Sequence, residues 1–270
     1  MPPPDAIPER YQVLETLRES PEERLYLARD SVLDKEVLLK LGGASAPADG
    51  GDQELRGAQM LARVDHPNVA RLLSAERTAA GLLLVLEPIA GIPLSLRLRR
   101  GPMPEDEVRQ LGIALAEALH AVHRVGIVHR GLSAEAVVLR PDGGAVLTGF
   151  TFAKEAGGLG ISSIDYQRKG AAESPDPKSQ HPVYPAPEQL AGHPADARSD
   201  VYGLGRLLLQ ALVGRDALFD AAGRLVDPDG QPLSLDSPKP GRSMATTLRT
   251  ALSHGPMARF ATAEHFGEAL

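Results

Sequence analysis

The chain has no cysteine. That excludes a disulfide framework and a thiolate metal site, and it leaves the redox compartment open. No apolar run approaches the roughly 18 residues that a membrane span needs. The leading residues, Met1-Pro2-Pro3-Pro4-Asp5, lack the basic and apolar parts of a signal peptide. A cytoplasmic protein without a membrane segment is therefore expected. An excess of positive charge is also missing. The formal net charge is −6, so no broad basic field exists for nucleic acid, and no nucleic-acid partner is expected. The run Arg97-Leu98-Arg99-Arg100 is short and reads as a solvated helix end.

What is present suits one large domain, or two lobes sharing a chain, since 43% of 270 residues are hydrophobic. The abundance of Ala, Leu, Arg, Gly and Pro fits a GC-rich bacterial gene. Residues 1–9 form a proline-rich lead, expected to be disordered. Then come three short alternating stretches, Tyr11–Leu14, Leu25–Ala28 and Glu36–Leu41, which predict an antiparallel meander. Residues 52–64 have helical spacing, with Leu55, Ala58, Leu61 and Ala62 on one face and Asp52 placed as the cap. Two more strands are predicted at Val69–Ala75 and Leu82–Glu87. After Gly91 the pattern turns helical. Helices are expected at Ser95–Arg99, from Pro104 to His123, at Asp200–Val213, at Met244–Leu252 and at Thr262–Leu270. A strand pair, Val137–Arg140 and Ala145–Leu147, flanks the turn Pro141-Asp142-Gly143-Gly144. Residues 155–182 have little periodicity and read as a long functional or disordered loop. Short strand-like pieces fall at Arg224–Val226 and Pro232–Leu235. The last helix reaches the chain end without a cap, so a further domain is expected beyond Leu270.

Several motifs stand at suggestive spacing. They are Val37-Leu38-Leu39-Lys40, His66-Pro67-Asn68-Val69, His129-Arg130-Gly131-Leu132, Ala186-Pro187-Glu188, Ser199-Asp200-Val201-Tyr202-Gly203-Leu204-Gly205, and Arg259 in Ala258-Arg259-Phe260. Together they resemble the protein kinase superfamily, in particular bacterial eukaryotic-like Ser/Thr kinases, from about Arg10 to the chain end. The resemblance implies an α+β bilobal fold: a small lobe over about 10–87, with five antiparallel strands and a helix, and a mainly helical lobe over about 91–270. It implies structural roles for His129, Arg130, Glu188, Asp200 and Arg259. Glu188 and Arg259 would make a buried ion pair, because a buried charge survives only with a partner. Asp200 would accept hydrogen bonds from the backbone of the His129 loop. Taken alone, Asp200 reads as a helix N-cap.

The departures from the family pattern lie where the chemistry would be. Gly131 stands for the catalytic base, Ser133 for a phosphate-contacting lysine, Ala136 for one metal ligand and Gly149, before Phe150, for another. Between Asp142 and Glu155 there is no carboxylate. The three glycines of the phosphate-covering loop become Arg18, Ser20 and Glu23, and Pro21 removes an amide donor. Glu19, Glu22 and Glu23 place negative charge where a triphosphate would lie, at about 4 kcal/mol per contact of about 4 Å if unscreened by solvent. Lys40 is kept, but the position of its helical partner is Gly57, with Glu54 a turn earlier. Leu38 replaces a small residue against adenine. Residual nucleotide contacts would fall on Lys40, Glu54, Glu87 and Ile89. His181 replaces the usual threonine of the peptide-binding part and reads as a surface or packing residue. Arg130 could pair with a phosphate on Ser162, Ser163, Tyr166 or Ser174, or with a carboxylate or the backbone.

These departures lead to the expectation of a pseudokinase. It would be a catalytically inactive domain, not an enzyme, acting as a protein-interaction scaffold or allosteric regulator, for a separate protein partner or a fused domain beyond residue 270. No cofactor or metal is expected, and ATP binding would be weak or absent. Two alternatives stand beside it. One is an atypical ATP-dependent kinase or nucleotidyl transferase built from Lys40, Glu54, Asp142 and Glu155. The other is a sensor with a small ligand in the inter-lobe cleft.

Overall fold

The computed structural model describes residues 7–19, 23–42, 55, 58–78, 81–150, 153–155, 184–220, 224–227, 230–232 and 240–270. The chain divides into two units, Met1–Ala90 and Gly91–Leu270. The first unit is a five-stranded antiparallel sheet of β1 (Tyr11–Glu19), β2 (Glu23–Asp30), β3 (Lys35–Gly42), β4 (Leu72–Thr78) and β5 (Gly81–Leu86). Its spatial order is β1-β2-β3-β5-β4. Side chains alternate across a strand. Val37, Leu39 and Leu41 therefore join Tyr11, Tyr26, Ala28, Leu83 and Val85 in a buried core, while Leu38 and Lys40 take the other face. Of the helix expected over 52–64, residues 55 and 58–61 are helical. Glu54 and Gly57 lie outside the described residues, as do Asp52, Ser20, Pro21 and Glu22.

Arg10 clamps this sheet at the β2–β3 turn. Its guanidinium donates to both oxygens of Asp30, at 2.9 and 2.7 Å. Asp30 also accepts from the Val32 and Leu33 amides. The hydrogen bond from Arg10 is the main cause holding the Asp30 carboxyl at about 2, below its ordinary 3.8. A depressed carboxyl stabilises the fold above its unfolded pKa, and that contribution disappears as pH falls through the folded value. Arg10→Ala is therefore expected to lower the unfolding midpoint above pH about 5, with the difference shrinking between about 4 and 2. A pH-independent difference would contradict the clamp.

The second unit starts with β6 (Ile92–Pro93), α1 (Leu94–Leu98) and α2 (Glu105–Arg124). Next come β7 (Ile127–Val128), a 3-10 turn at Ala134–Ala136, β8 (Val137–Leu139), β9 (Ala145–Leu147) and β10 (Lys154–Glu155). After residue 183 come α3 (Pro187–Leu190), α4 (Ala197–Val213), β11 (Leu218–Phe219), β12 (Leu225–Val226), α5 (Arg242–Ala251) and α6 (Ala263–Ala269). β6, β8 and β9 form one small sheet, and β7 pairs with β10. The helical core is built where α2 packs against α4 and α6. The α2 stripe of Val108, Leu111, Leu115, Ala118 and Leu119 is buried, and Ala114 is half-buried.

Asp196 is the N-cap of α4 and accepts from the Arg198 amide at 2.8 Å. Asp200 lies in the first turn, so its solitary reading as the cap is corrected. The cap position is already filled, and the Asp200 side chain turns inward instead. The second strand piece expected at Pro232–Leu235 is described only through a bridge from Pro232 to Val226. Residues 233–235 lie outside the described residues, as do residues 156–182, with His181, Ser162, Ser163, Tyr166 and Ser174 among them.

Candidate functional site

On the first unit, Lys40 stands on the face of β3 opposite the buried core. Its cross-strand partners are Leu25 and Leu84, and those of Leu38 are Leu27 and Leu86. All six residues are half-buried. One cation thus sits in a patch of leucine, which suits a flat apolar group bearing negative charge. Glu87 is exposed, with its amide bonded to the Arg71 carbonyl, and Ile89 is half-buried.

On the second unit the His129 loop hangs from one carboxylate. Asp200 Oδ2 accepts from the His129 amide at 2.8 Å and Oδ1 from the Arg130 amide at 2.7 Å. His123, on α2, donates from Nε2 to Oδ2 at 2.7 Å. Burial pushes the Asp200 carboxyl up, but the His123 hydrogen bond, the two histidines and the Arg130 amide outweigh it and hold it below its ordinary value. The His129 ring is fixed in turn. Its Nε2 bonds to the Thr148 carbonyl at 2.7 Å, its Nδ1 accepts from the Gly131 amide, and Phe150 packs against it at 4.6 Å between centroids. Arg130 is buried, with φ of 65°. Ser133 caps the 3-10 turn by accepting from the Ala136 amide at 3.2 Å.

Positions 136 and 149 face each other. Gly149 has φ of +71°, and a Cβ there would meet the Ala136 Cβ at 2.8 Å. Neither residue carries a side-chain oxygen. Among the described residues there is no group of three or more His, Cys, Asp or Glu fit to hold a metal ion. This donor set does not fit a divalent cation held by the protein.

A second buried network fixes the segment before α4. Glu188 takes Arg259 Nη1 and Nη2 at 2.7 and 2.8 Å and the Ser199 hydroxyl at 2.7 Å. Burial pushes the Glu188 carboxyl up, and the Arg259 and Ser199 hydrogen bonds bring it below its ordinary value. The Arg259 guanidinium also reaches the carbonyls of Ser253, His254 and Arg198, and lies 4.8 Å from the Tyr202 ring centroid. Tyr184 is buried, its amide bonded to the Leu132 carbonyl and its ring 4.9 Å from the Arg206 guanidinium. Sequence reasoning missed His123 and Gln189. A single histidine on a helix six places before the loop, and an amide after Ala186-Pro187-Glu188, carry no pattern of their own.

An antiparallel five-stranded lobe, a helical lobe and a carboxylate-hung His-Arg loop define a protein kinase fold. The protein kinase domain family matches residues 28–226, and this chain belongs to that family. It is 31% identical over 248 residues to serine/threonine-protein kinase PknK of Mycobacterium tuberculosis, a match covering 88% of this chain and 21% of that protein. It is 32% identical over 212 residues to the DNA damage-responsive serine/threonine-protein kinase RqkA of Deinococcus radiodurans, covering 76% of this chain and 30% of that protein. The chain thus spans less than a third of the length of these relatives. The crystal structure of the PknI kinase domain of Mycobacterium tuberculosis matches with a TM-score of 0.72 at 23% identity, over 98% of this chain and 97% of that one.

These relatives correct the expectation of a catalytically inactive scaffold or regulator, and with it the expectation that the chain is no enzyme. The proteins it is similar to are named serine/threonine-protein kinases. The sensor and the nucleotidyl transferase are set aside on the same finding. The expectation rested on the side chains missing at 131, 133, 136 and 149, on Arg18, Ser20 and Glu23 in place of three glycines, and on Gly57 in place of a partner for Lys40. Phosphoryl transfer depends mostly on positioning and charge, and a missing base bears first on rate. No described helix is long and apolar enough to cross a membrane.

Proposed function

We propose that this chain is the kinase domain of a larger protein and transfers a phosphoryl group from ATP to a Ser or Thr hydroxyl. What carries the reading is its similarity, over 76% to 88% of the chain, to proteins named serine/threonine-protein kinases. Lys40 on its leucine face supplies charge for the phosphates. The loop held by Asp200 positions the hydroxyl. The hydroxyl oxygen bonds to the γ-phosphorus, the bond to the β–γ bridging oxygen breaks, and ADP leaves. Gly131 has no side chain to take the proton, so the proton passes to a phosphate oxygen. A divalent ion, where one takes part, arrives on the triphosphate rather than on protein ligands. A further domain or a protein partner selects the acceptor, in the cytoplasm.

The test is label transfer from γ-labelled ATP to an acceptor protein, with magnesium and with manganese. Slow transfer to Ser or Thr is expected, abolished in Lys40→Met. A positioned base contributes about 100-fold to 10,000-fold, so Gly131→Asp is expected to raise the rate at least about 100-fold. Absence of transfer by the wild type, folded by its unfolding midpoint, would rule the reading out.

A further inference from the structure

We infer that Gln189 is a positioning residue that ties the backbone of the His129 loop to the start of α3. Gln189 is 1% exposed. Its Oε1 accepts from the Ala186 amide at 2.9 Å, and its Nε2 donates to the Arg130 carbonyl at 3.4 Å. The amide cannot be turned round, because the Ala186 N–H must meet an oxygen and the Arg130 carbonyl must meet a donor. One side chain therefore joins the start of its own helix to a carbonyl 59 residues before it in sequence.

Arg130 is where such a tie matters. Its backbone is left-handed, with φ of 65°, a conformation that side chains other than glycine avoid. It persists only when the surroundings hold it. Asp200 holds the amide of Arg130 at 2.7 Å, and Gln189 holds its carbonyl. That carbonyl begins the peptide that carries Gly131, the position facing the acceptor hydroxyl in the proposed reaction. Nearby, the Tyr184 amide bonds to the Leu132 carbonyl at 3.0 Å. Residues 184–189 thus grip the loop at two points, Gln189 being the side-chain one.

The activity arm of the test rests on the proposed phosphoryl transfer, and the structural arm does not. Gln189→Met keeps the side-chain length and removes both hydrogen bonds. A lost hydrogen bond is worth about tenfold in local opening. Backbone amides at 129–133 are therefore expected to exchange hydrogen about tenfold faster, with those of α4 and α6 changed less than about twofold. The kcat is expected to fall about tenfold with the KM for ATP unchanged. Gln189→Glu, studied above about pH 9 so that the buried carboxylate is ionised, keeps an oxygen for Ala186 and has no donor for Arg130. It is expected to match Gln189→Met at the loop. Unchanged exchange at 129–133, equal acceleration throughout α4 and α6, or wild-type behaviour of Gln189→Glu would each overturn the inference. Absence of transfer in the wild type would remove the proposed function and leave the exchange result to decide the tie.

Discussion

Arg259→Ala is expected to lower the stability of the helical unit by about 3–5 kcal/mol, the usual result of breaking a buried ion pair from one side. The Arg259 side chain is 0% exposed and that of Glu188 9%. All five guanidinium N–H groups are used, two on Glu188 and three on the carbonyls of Ser253, His254 and Arg198. Removal leaves a buried carboxylate with the Ser199 hydroxyl and its own backbone amide, and takes a donor from three carbonyls. At roughly 2–4 °C per kcal/mol for a unit of this size, the unfolding midpoint should fall by about 6–20 °C. Arg259→Lys keeps the charge but offers one point donor in place of a planar fork, so it should recover less than half of the loss. Glu188→Gln leaves the three carbonyl bonds intact and should cost less than Arg259→Ala. Equal midpoints for Arg259→Lys and wild type would show that charge alone matters and that the fork geometry is incidental.

The second large effect is expected at Asp200. Its carboxylate accepts from His123, from the His129 amide and from the Arg130 amide, and it is 1% exposed. Asp200→Ala would leave these donors buried and unmet, at about 1–3 kcal/mol each before relaxation. A net loss of roughly 3–5 kcal/mol is expected. Asp200→Asn is the sharper variant. It has the same shape, but one oxygen becomes an NH2 that must face either His123 Nε2 or a backbone amide, donor against donor. It should therefore cost more than half of what Asp200→Ala costs. Because the folded carboxyl lies below its ordinary value, the wild-type advantage should be full above the ordinary carboxylate range and decline as pH falls beneath it. Thermal unfolding of the three proteins at neutral and acid pH measures both points. Asp200→Asn behaving as wild type would mean that the loop is held by other contacts.

Much of this was legible in the residues, and for physical reasons. The strands of the first unit follow from alternation, and α2, α4 and α6 from apolar spacing, because burial of one face is a local property of the sequence. The short β6, β7, β10 and β11 have no counterpart among the strands expected from the sequence. Two residues carry no period, and such strands exist only because a partner lies beside them. β4 begins at Leu72 rather than Val69; Val69 makes only a single bridge and Ala70 is buried outside the strand.

By itself the sequence determined the family, the bilobal fold class and the identity of the charged residues kept far apart along the chain. Lys40, His129, Glu188, Asp200 and Arg259 are informative as a set because each sits inside a matching neighbourhood. The resemblance pointed to Arg259 as the partner of Glu188 and to Asp200 beneath the His129 loop, and only the tertiary structure decided the rest of what those residues touch. It placed three donors on Asp200, five bonds on Arg259, Gly149 against Ala136, and Gln189 between Ala186 and Arg130. Hydrogen bonds spanning 59 to 77 residues leave no local trace, because distance along the chain says nothing about direction in space. A glutamine or a histidine at such a point looks like any other until the backbone it meets has been folded beside it.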